Sequence, residues 1–577
     1  MMLIRFIPLF FTTLLSCQIA ISSPSKAYPL HLEQETIHSI QNALAQHQIS
    51  CLQLTNTYLE RIKKYNLSVK SKAPINAFSE LNPSVLTYAR ELDDYYKKTG
   101  QALGPLHCIP VILKDNIDSF DTTTTSGSYA LLGSQPTHDA FLVKKLRNAG
   151  AIILGKGGMD EFAWGVSGIS SRSGRIGNAY DPDQNPGGSS GGSAAAVSAH
   201  FALLGIGTDN SGSVRIPAAF NGLIGLRPST GLISQSGIFP MGNLDGTAGP
   251  IARNIEDLAI LLDVIAQPDP QDHKTLNIPR VKTYSVFLKN NGLNHKRIGI
   301  VHNVNGINPF NEMSTPIEEI IKQATNNMQN MGATLIDITL PDFNNDRQFN
   351  QAGEIEDVNE YLASFPSTRK SFRDICESNR TRSFGSIKDC LLFTKNTANK
   401  FGVSYQKALE IFKKNKRYVE QIMNKNQLDA LLMPISTNGD ATYDAMKVNT
   451  WRAPISSNSG LPAISINVGY SQETHMPIGV ELISKQYQEG TLLEIAYAYE
   501  TQVKQSILPL MPEENLALLH FTIPELNNLF TLLGKNAYEK FLIHSKDSSH
   551  LSDDLTPERF REITANTIQS YRKLIGK

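Results

Sequence analysis

Asn185-Pro186-Gly187-Gly188-Ser189-Ser190-Gly191-Gly192-Ser193-Ala194-Ala195-Ala196 is the stretch from which the rest of this chain can be read. The glycines at 187, 188, 191 and 192 let the backbone approach substrate or other chain closely. The alanine-rich continuation, Ser193 to Leu203, reads as a helix. A glycine-serine loop opening a helix is also compatible with a phosphate cradle. This one lacks the Lys-Ser/Thr end of a P-loop. Taken alone, serines in such loops are turn residues far more often than reactants.

Outward from that loop the texture alternates. Val111-Ile112-Leu113 reads as a buried strand, Phe141 to Ala149 as a helix, and Ile152-Ile153-Leu154 as the next strand. The pattern resumes at Arg297-Ile298-Gly299-Ile300-Val301, a helix near Pro316 to Met331, and Thr334 to Ile338. Strands alternating with helices predict an α/β sheet covered by helices. Before it, Leu32 to Tyr65 is helical with one short break. Ile37, Ile40 and Leu44 share a face, as do Leu54, Tyr58 and Ile62. Ser50 with Gln53 fits a capping box. Residues 342–427 read as a largely helical insertion, 428–483 as strand-rich, and 511–577 as a helical extension. The main domain is expected over 28–510.

The N-terminus differs from the rest. Arg5 precedes an apolar run, Phe6 to Leu15, and then small residues. This predicts a secretory signal peptide over 1–27, cleaved after Ala27. The run is broken by Thr12, Thr13 and Ser16, so no membrane span is expected once it is processed. The chain is therefore expected to be secreted or periplasmic. The alternative is a lipoprotein anchored through Cys17, because Leu14-Leu15-Ser16-Cys17 is similar to a lipoprotein box. Cys376 and Cys390 are close enough to bridge in an oxidising compartment, and separate thiols are the alternative. With no CxxC or HExxH pattern, no metal is expected. A net charge of +0 and no long basic run argue against nucleic acid as a partner. The oligomeric state is left open, a homodimer being one choice.

Two further segments carry chemistry. Ser213 stands twenty-four residues after Ser189, within Gly207-Thr208-Asp209-Asn210-Ser211-Gly212-Ser213-Val214-Arg215-Ile216-Pro217. Upstream is Gly104-Pro105-Leu106-His107-Cys108-Ile109-Pro110-Val111-Ile112-Leu113-Lys114-Asp115-Asn116. In order and spacing, the three segments resemble the amidase-signature family, from about Leu32 to Val503. Leu146 to Lys156, Gly222 to Pro228, Gly249 to Arg253 and Asn458 to Ser465 extend the resemblance.

The resemblance implies a large central mixed β-sheet with helices on both faces. It also implies a Ser–cisSer–Lys triad: Ser213 as nucleophile, Ser189 as relay and Lys114 as base. Backbone N–H groups of Asn210, Ser211, Gly212 and Ser213 would form the oxyanion hole. Ser190 would support the hydrogen-bond network, and Asp209 with Arg215 would pair to hold the nucleophile turn. Asp115 would make structural hydrogen bonds, and Gly187 and Gly188 would lie against substrate. His107 reads as a loop or packing residue. No cofactor is implied. One departure stands out: the family has Gly or Ala where this chain has Ser211, and serine tolerates fewer backbone conformations than glycine.

These expectations have a chemical logic. An amide is a poor electrophile and a serine a weak nucleophile, so an acyl-enzyme splits one hard step into two. Lysine accepts a proton only when neutral, and its ordinary pKa is about 10.4. Burial must therefore lower it. The expected function is hydrolysis of a small amide or peptide amide. Glu354-Ile355-Glu356-Asp357-Val358-Asn359-Glu360-Tyr361-Leu362 is similar to a stretch in peptide-amidase-type relatives. There are two competing readings: a catalytically idle binding protein of the same fold, or one subunit of a glutamine amidotransferase.

Overall fold

The computed structural model describes residues 28–577 apart from 241–243, 245, 312, 345–352, 385, 398–402, 436–454, 504–506 and 545–554. The expected leader and Cys17 lie outside the described residues.

Among the described residues, eleven strands form one sheet. In chain order they are β1 (Phe78–Leu81), β2 (Pro110–Lys114), β3 (Ile152–Gly157), β4 (Leu204–Asp209), β5 (Ile224–Arg227) and β6 (Thr247–Ala252). They continue as β7 (Arg297–Val304), β8 (Thr334–Leu340), β9 (Ala430–Pro434), β10 (Ala463–Tyr470) and β11 (Pro477–Ile483). The spatial order is β1-β3-β2-β4-β6-β5-β10-β11-β9-β7-β8. Pairing is mixed: β2 runs parallel to β3 and β4, while β4–β6 and β5–β10 are antiparallel. Central strands such as β2, β4 and β6 are buried along their whole length, as strands covered on both faces must be.

The elements expected from patterning are present with small boundary shifts. The N-terminal helical region splits into Ile37–Ala45 and Cys51–Tyr65. Ser50 caps the second, its hydroxyl accepting from Gln53 N while the Gln53 side chain accepts from Ser50 N. The helix after the glycine-rich loop is shorter than expected, Gly191–Ser198, and every residue of it is buried.

The insertion divides in two. Helices Glu354–Ala363, Phe372–Glu377 and Ile387–Thr397 enclose an aromatic cluster with Phe162 and Phe239 of the main body. Cys376 and Cys390 are bridged there. Helix Val403–Lys425 instead packs Val419 and Met423 under the far end of the sheet, on Val301, Leu431 and Met433.

The C-terminal helices Ile523–His544 and Pro557–Ile575 are part of the main body. Leu526, Leu529, Leu533 and Phe560 join the principal core. Asn527 pairs with both backbone groups of Leu81, donating to its O and accepting from its N, each at 2.8 Å. This side chain satisfies groups that edge strand β1 would otherwise leave open.

Candidate active site

Parallel register builds the site. Leu113 of β2 stands opposite Ile206 of β4, so Lys114 and Thr208 emerge at the same end of the sheet. Lys114 is fully buried. Its Nζ donates to Ser189 Oγ at 2.7 Å, to Thr208 Oγ1 at 2.8 Å and to Thr208 O at 3.2 Å. These three acceptors use all the donors of an ammonium group. A neutral amine has two N–H groups and one lone pair. Because the Thr208 carbonyl can only accept, one of the two hydroxyls must then donate to Nζ. Burial pushes the Lys114 pKa down to about 7, against the opposing pull of Asp160 and Asp209.

The Gly188–Ser189 peptide is cis. Ser190 N–H donates to Ser213 O at 3.2 Å, laying the Ser189 loop beside the Ser213 turn. Ser213 is 5% exposed. The Ser190 hydroxyl bonds the backbone of Thr208, accepting from its N and donating to its O, each at 3.3 Å.

The Ser213 turn is organised by Asp209. Its carboxylate accepts from Gly212 N at 2.7 Å and Val214 N at 3.1 Å. It pairs with Arg215 Nε at 3.0 Å, the partner the resemblance implies. Two partners come from outside this segment: Arg227 pairs with Asp209 at 3.3 Å, and Glu481 pairs with Arg215 at 2.5 Å. All four side chains are fully buried. Burial alone would raise the Asp209 pKa, but Arg215 and Arg227 outweigh it and hold the carboxyl well below the usual range. Arg227 lies in the quoted Gly222 to Pro228 run. Glu481 comes from β11, with no local signal linking it to this turn.

The geometry revises one expectation and adds to another. Gly212 N–H is taken by Asp209, so it is not available to an oxyanion. Gly187 and Gly188 lack side chains because protein fills that space. A Cβ at 187 would lie 2.7 Å from Pro217 Cα, and one at 188 would lie 2.1 Å from Asp160 Oδ2. Ser211, in contrast, suits its place. The left-handed residue of the turn is Gly212, with φ of 112°, so position 211 does not require glycine.

Asp115 accepts from Thr125 N and Gly127 N. His107 is buried, accepting from Leu103 N and packing on Tyr96. Beside it Cys51 and Cys108 form a second disulfide, which the sequence did not suggest. The three side chains come within 4.8 Å of one another, but joined sulfurs offer no thiolates to a metal.

A cavity of about 90 Å³ adjoins the turn, lined by Asn116, Thr208, Asn210, Gln235, Phe239 and Thr247 among others. Phe239 meets Tyr361 edge-on, and the Tyr361 hydroxyl donates to Asp118 Oδ1 at 2.5 Å. The insertion thus braces one wall. A larger cavity of about 260 Å³, among Tyr180, His200, Arg253 and Glu500, is lined by none of Lys114, Ser189 and Ser213.

The amidase family model matches residues 53–493. The chain belongs to the amidase family. A glutamyl-tRNA(Gln) amidotransferase subunit from Caldanaerobacter subterraneus is 31% identical over 500 residues, covering 83% of this chain and 99% of the relative. The corresponding subunit from Alkaliphilus metalliredigens is 32% identical, covering 84% and 99%. Among solved structures, native peptide amidase from Stenotrophomonas maltophilia superposes with a TM-score of 0.72 at 30% identity, covering 83% of this chain and 99% of that one. An amidase family protein from Bacillus anthracis gives 0.72 at 28% identity, covering 83% and 93%. The mixed sheet flanked by helices is that of these amidases.

Proposed function

We propose that this chain is an exported amidohydrolase that cleaves a small amide or a peptide amide through an acyl-enzyme on Ser213. The observation that carries the reading is the buried Lys114 Nζ, 2.7 Å from Ser189 Oγ and pushed down to about 7. In its neutral form Lys114 accepts the Ser189 proton, and Ser189 takes the proton of Ser213 as it attacks the carbonyl carbon. The proton then returns through Ser189 to the leaving nitrogen, and the amine or ammonia departs. Water repeats the sequence on the acyl-enzyme. The N–H groups of Ser211 and Ser213 make no hydrogen bond among the described residues, and they are the oxyanion donors in this reading. Loss of one such donor typically costs about 3 kcal/mol of barrier.

Export is supported by the leader-like N-terminus and by cysteine use. Every cysteine after residue 27 is in a disulfide, Cys51–Cys108 or Cys376–Cys390. Disulfides persist chiefly in oxidising compartments. The competing reading, a component of a multi-subunit amidotransferase, is favoured by the relatives named above. Its tRNA-linked work in the cytosol fits neither the leader nor the disulfides.

The test is labelling of the purified protein with a fluorophosphonate probe, with Ser213→Ala as control, and a screen of amides by ammonia release. Labelling that is absent, or unchanged in Ser213→Ala, would overturn the reading. Ammonia release only when glutamine and partner subunits are added would favour the amidotransferase.

A further inference from the structure

Asp160 is a buried carboxylate, 2% exposed, in the loop that follows β3. Its immediate contacts are local. Oδ1 accepts from Ser167 N at 3.0 Å, Ser167 Oγ at 2.9 Å and Gly168 N at 3.1 Å, and Oδ2 accepts from Gly168 N at 3.0 Å. A residue that only closed this loop would need nothing more. Two further features point toward the relay. Asp160 N–H donates to Ser189 O at 3.3 Å. Its carboxylate also occupies the space beside Gly188, where an added Cβ would lie 2.1 Å from Oδ2. Asp160 therefore lies against both residues, Gly188 and Ser189, that present the Ser189 hydroxyl to Lys114.

The charges around Lys114 are unequal in kind. Asp209 is already matched by Arg215 and Arg227. Lys156, on β3, donates to Thr124 and lies in the field of Asp115, Asp118, Glu80 and Asp121. Asp115 is turned toward Thr125 and Gly127. Asp160 has no paired cation among the described residues. A buried carboxylate without an ion-pair partner is costly unless a nearby charge compensates it. The cation on which it acts is Lys114, where it is the foremost charge opposing the effect of burial. Burial raises the Asp160 pKa above the usual carboxylate value, and the Gly168 and Ser167 donors, which favour the ionised form, oppose that rise only in part.

We propose that Asp160 is a positioning residue of this site: its carboxylate is the counter-charge of the Lys114 ammonium and the stop that holds the Gly188–Ser189 peptide in place. The role rests on Lys114 being the base. It sets a compromise. Burial alone would leave Lys114 a weak base, and a full ion pair would hold its proton too firmly. An anion close by but outside hydrogen-bond reach keeps the amine near the working pH, where general-base catalysis is most effective.

The experiment is the pH dependence of Ser213 labelling by a fluorophosphonate, measured as a second-order rate on the full chain. Asp160→Asn removes the charge while its carboxamide oxygen can still accept from Ser167. Its acid limb should fall by about one pH unit, the lower end of the effect of a nearby opposite charge. Asp160→Glu keeps the charge and should keep the wild-type limb even as the rate drops. Profiles for Asp160→Asn that superimpose on wild type, or limbs that move together in both variants, overturn the proposal. Should Asp160→Asn fail to fold, Asp160→Ser carries the same expectation. Lys114→Ala is run alongside: wild-type labelling there would remove the relay itself. An inert Lys114→Ala with unmoved Asp160 limbs would remove only the role given to Asp160.

Discussion

Replacing Lys114 by methionine should abolish turnover and change how stability depends on pH. The lysine is fully buried, and its pKa falls from 10.5 to about 7 in the folded chain. Between those values the unfolded chain binds a proton that the folded chain does not, so stability rises with pH in that window. One pKa unit corresponds to about 1.4 kcal/mol, so wild type should gain roughly 3–4 kcal/mol between pH 7 and pH 10 from this group. Methionine has no such proton. Lys114→Met should therefore lose the increment, and the difference in stability between the two proteins should move by that amount in favour of wild type as pH rises. Below pH 7 the folded lysine is charged too, and the difference should level off. Urea unfolding followed by tryptophan fluorescence, at about five pH values across the window, measures it. Parallel stability curves for wild type and variant would refute the claim that Lys114 is held neutral by burial, and would weaken its assignment as the base.

Three other outcomes follow from the geometry. Asp209→Asn removes the carboxylate that pairs with both Arg215 and Arg227, so thermal unfolding should show a loss of about 3–5 kcal/mol, the usual cost of breaking a buried ion pair; labelling of Ser213 should fall with it. Gly188→Ala would place a methyl 2.1 Å from Asp160 Oδ2, and should cut the labelling rate far more than Ser211→Gly, which replaces a residue outside the left-handed region. Tyr361→Phe removes the donor to Asp118, a carboxyl that burial pushes up to about 7. It should cost about 1.5–3 kcal/mol above pH 7, where Asp118 is ionised, as for a hydrogen bond to a charged group, and less below it. An equal loss at pH 5 and pH 9 would contradict that assignment.

The class of fold and the residues at the centre of the site were legible in the chain itself. Strand and helix periods are local, so Val111–Leu113, Ile152–Leu154 and the helix after Gly192 could be read directly. Lys114, Ser189 and Ser213 could be singled out as candidates because their three segments resemble the amidase-signature family in order and spacing. The Asp209–Arg215 pair was expected on the same resemblance, both residues belonging to the Ser213 segment. What depends on distant segments came only with the folded chain. Glu481 reaches Arg215 only because β11 lies across the sheet, and Cys51 meets Cys108 only because a helix packs against the turn before β2. The C-terminal helices belong to the main body because Asn527 meets the β1 edge and Leu529 joins the principal core, which no tail composition announces. The protonation of Lys114 is of the same kind. A lysine at a strand end is ordinary in sequence, and only burial in the folded chain, opposed by Asp160 and Asp209, 46 and 95 residues away, brings its pKa down to about 7.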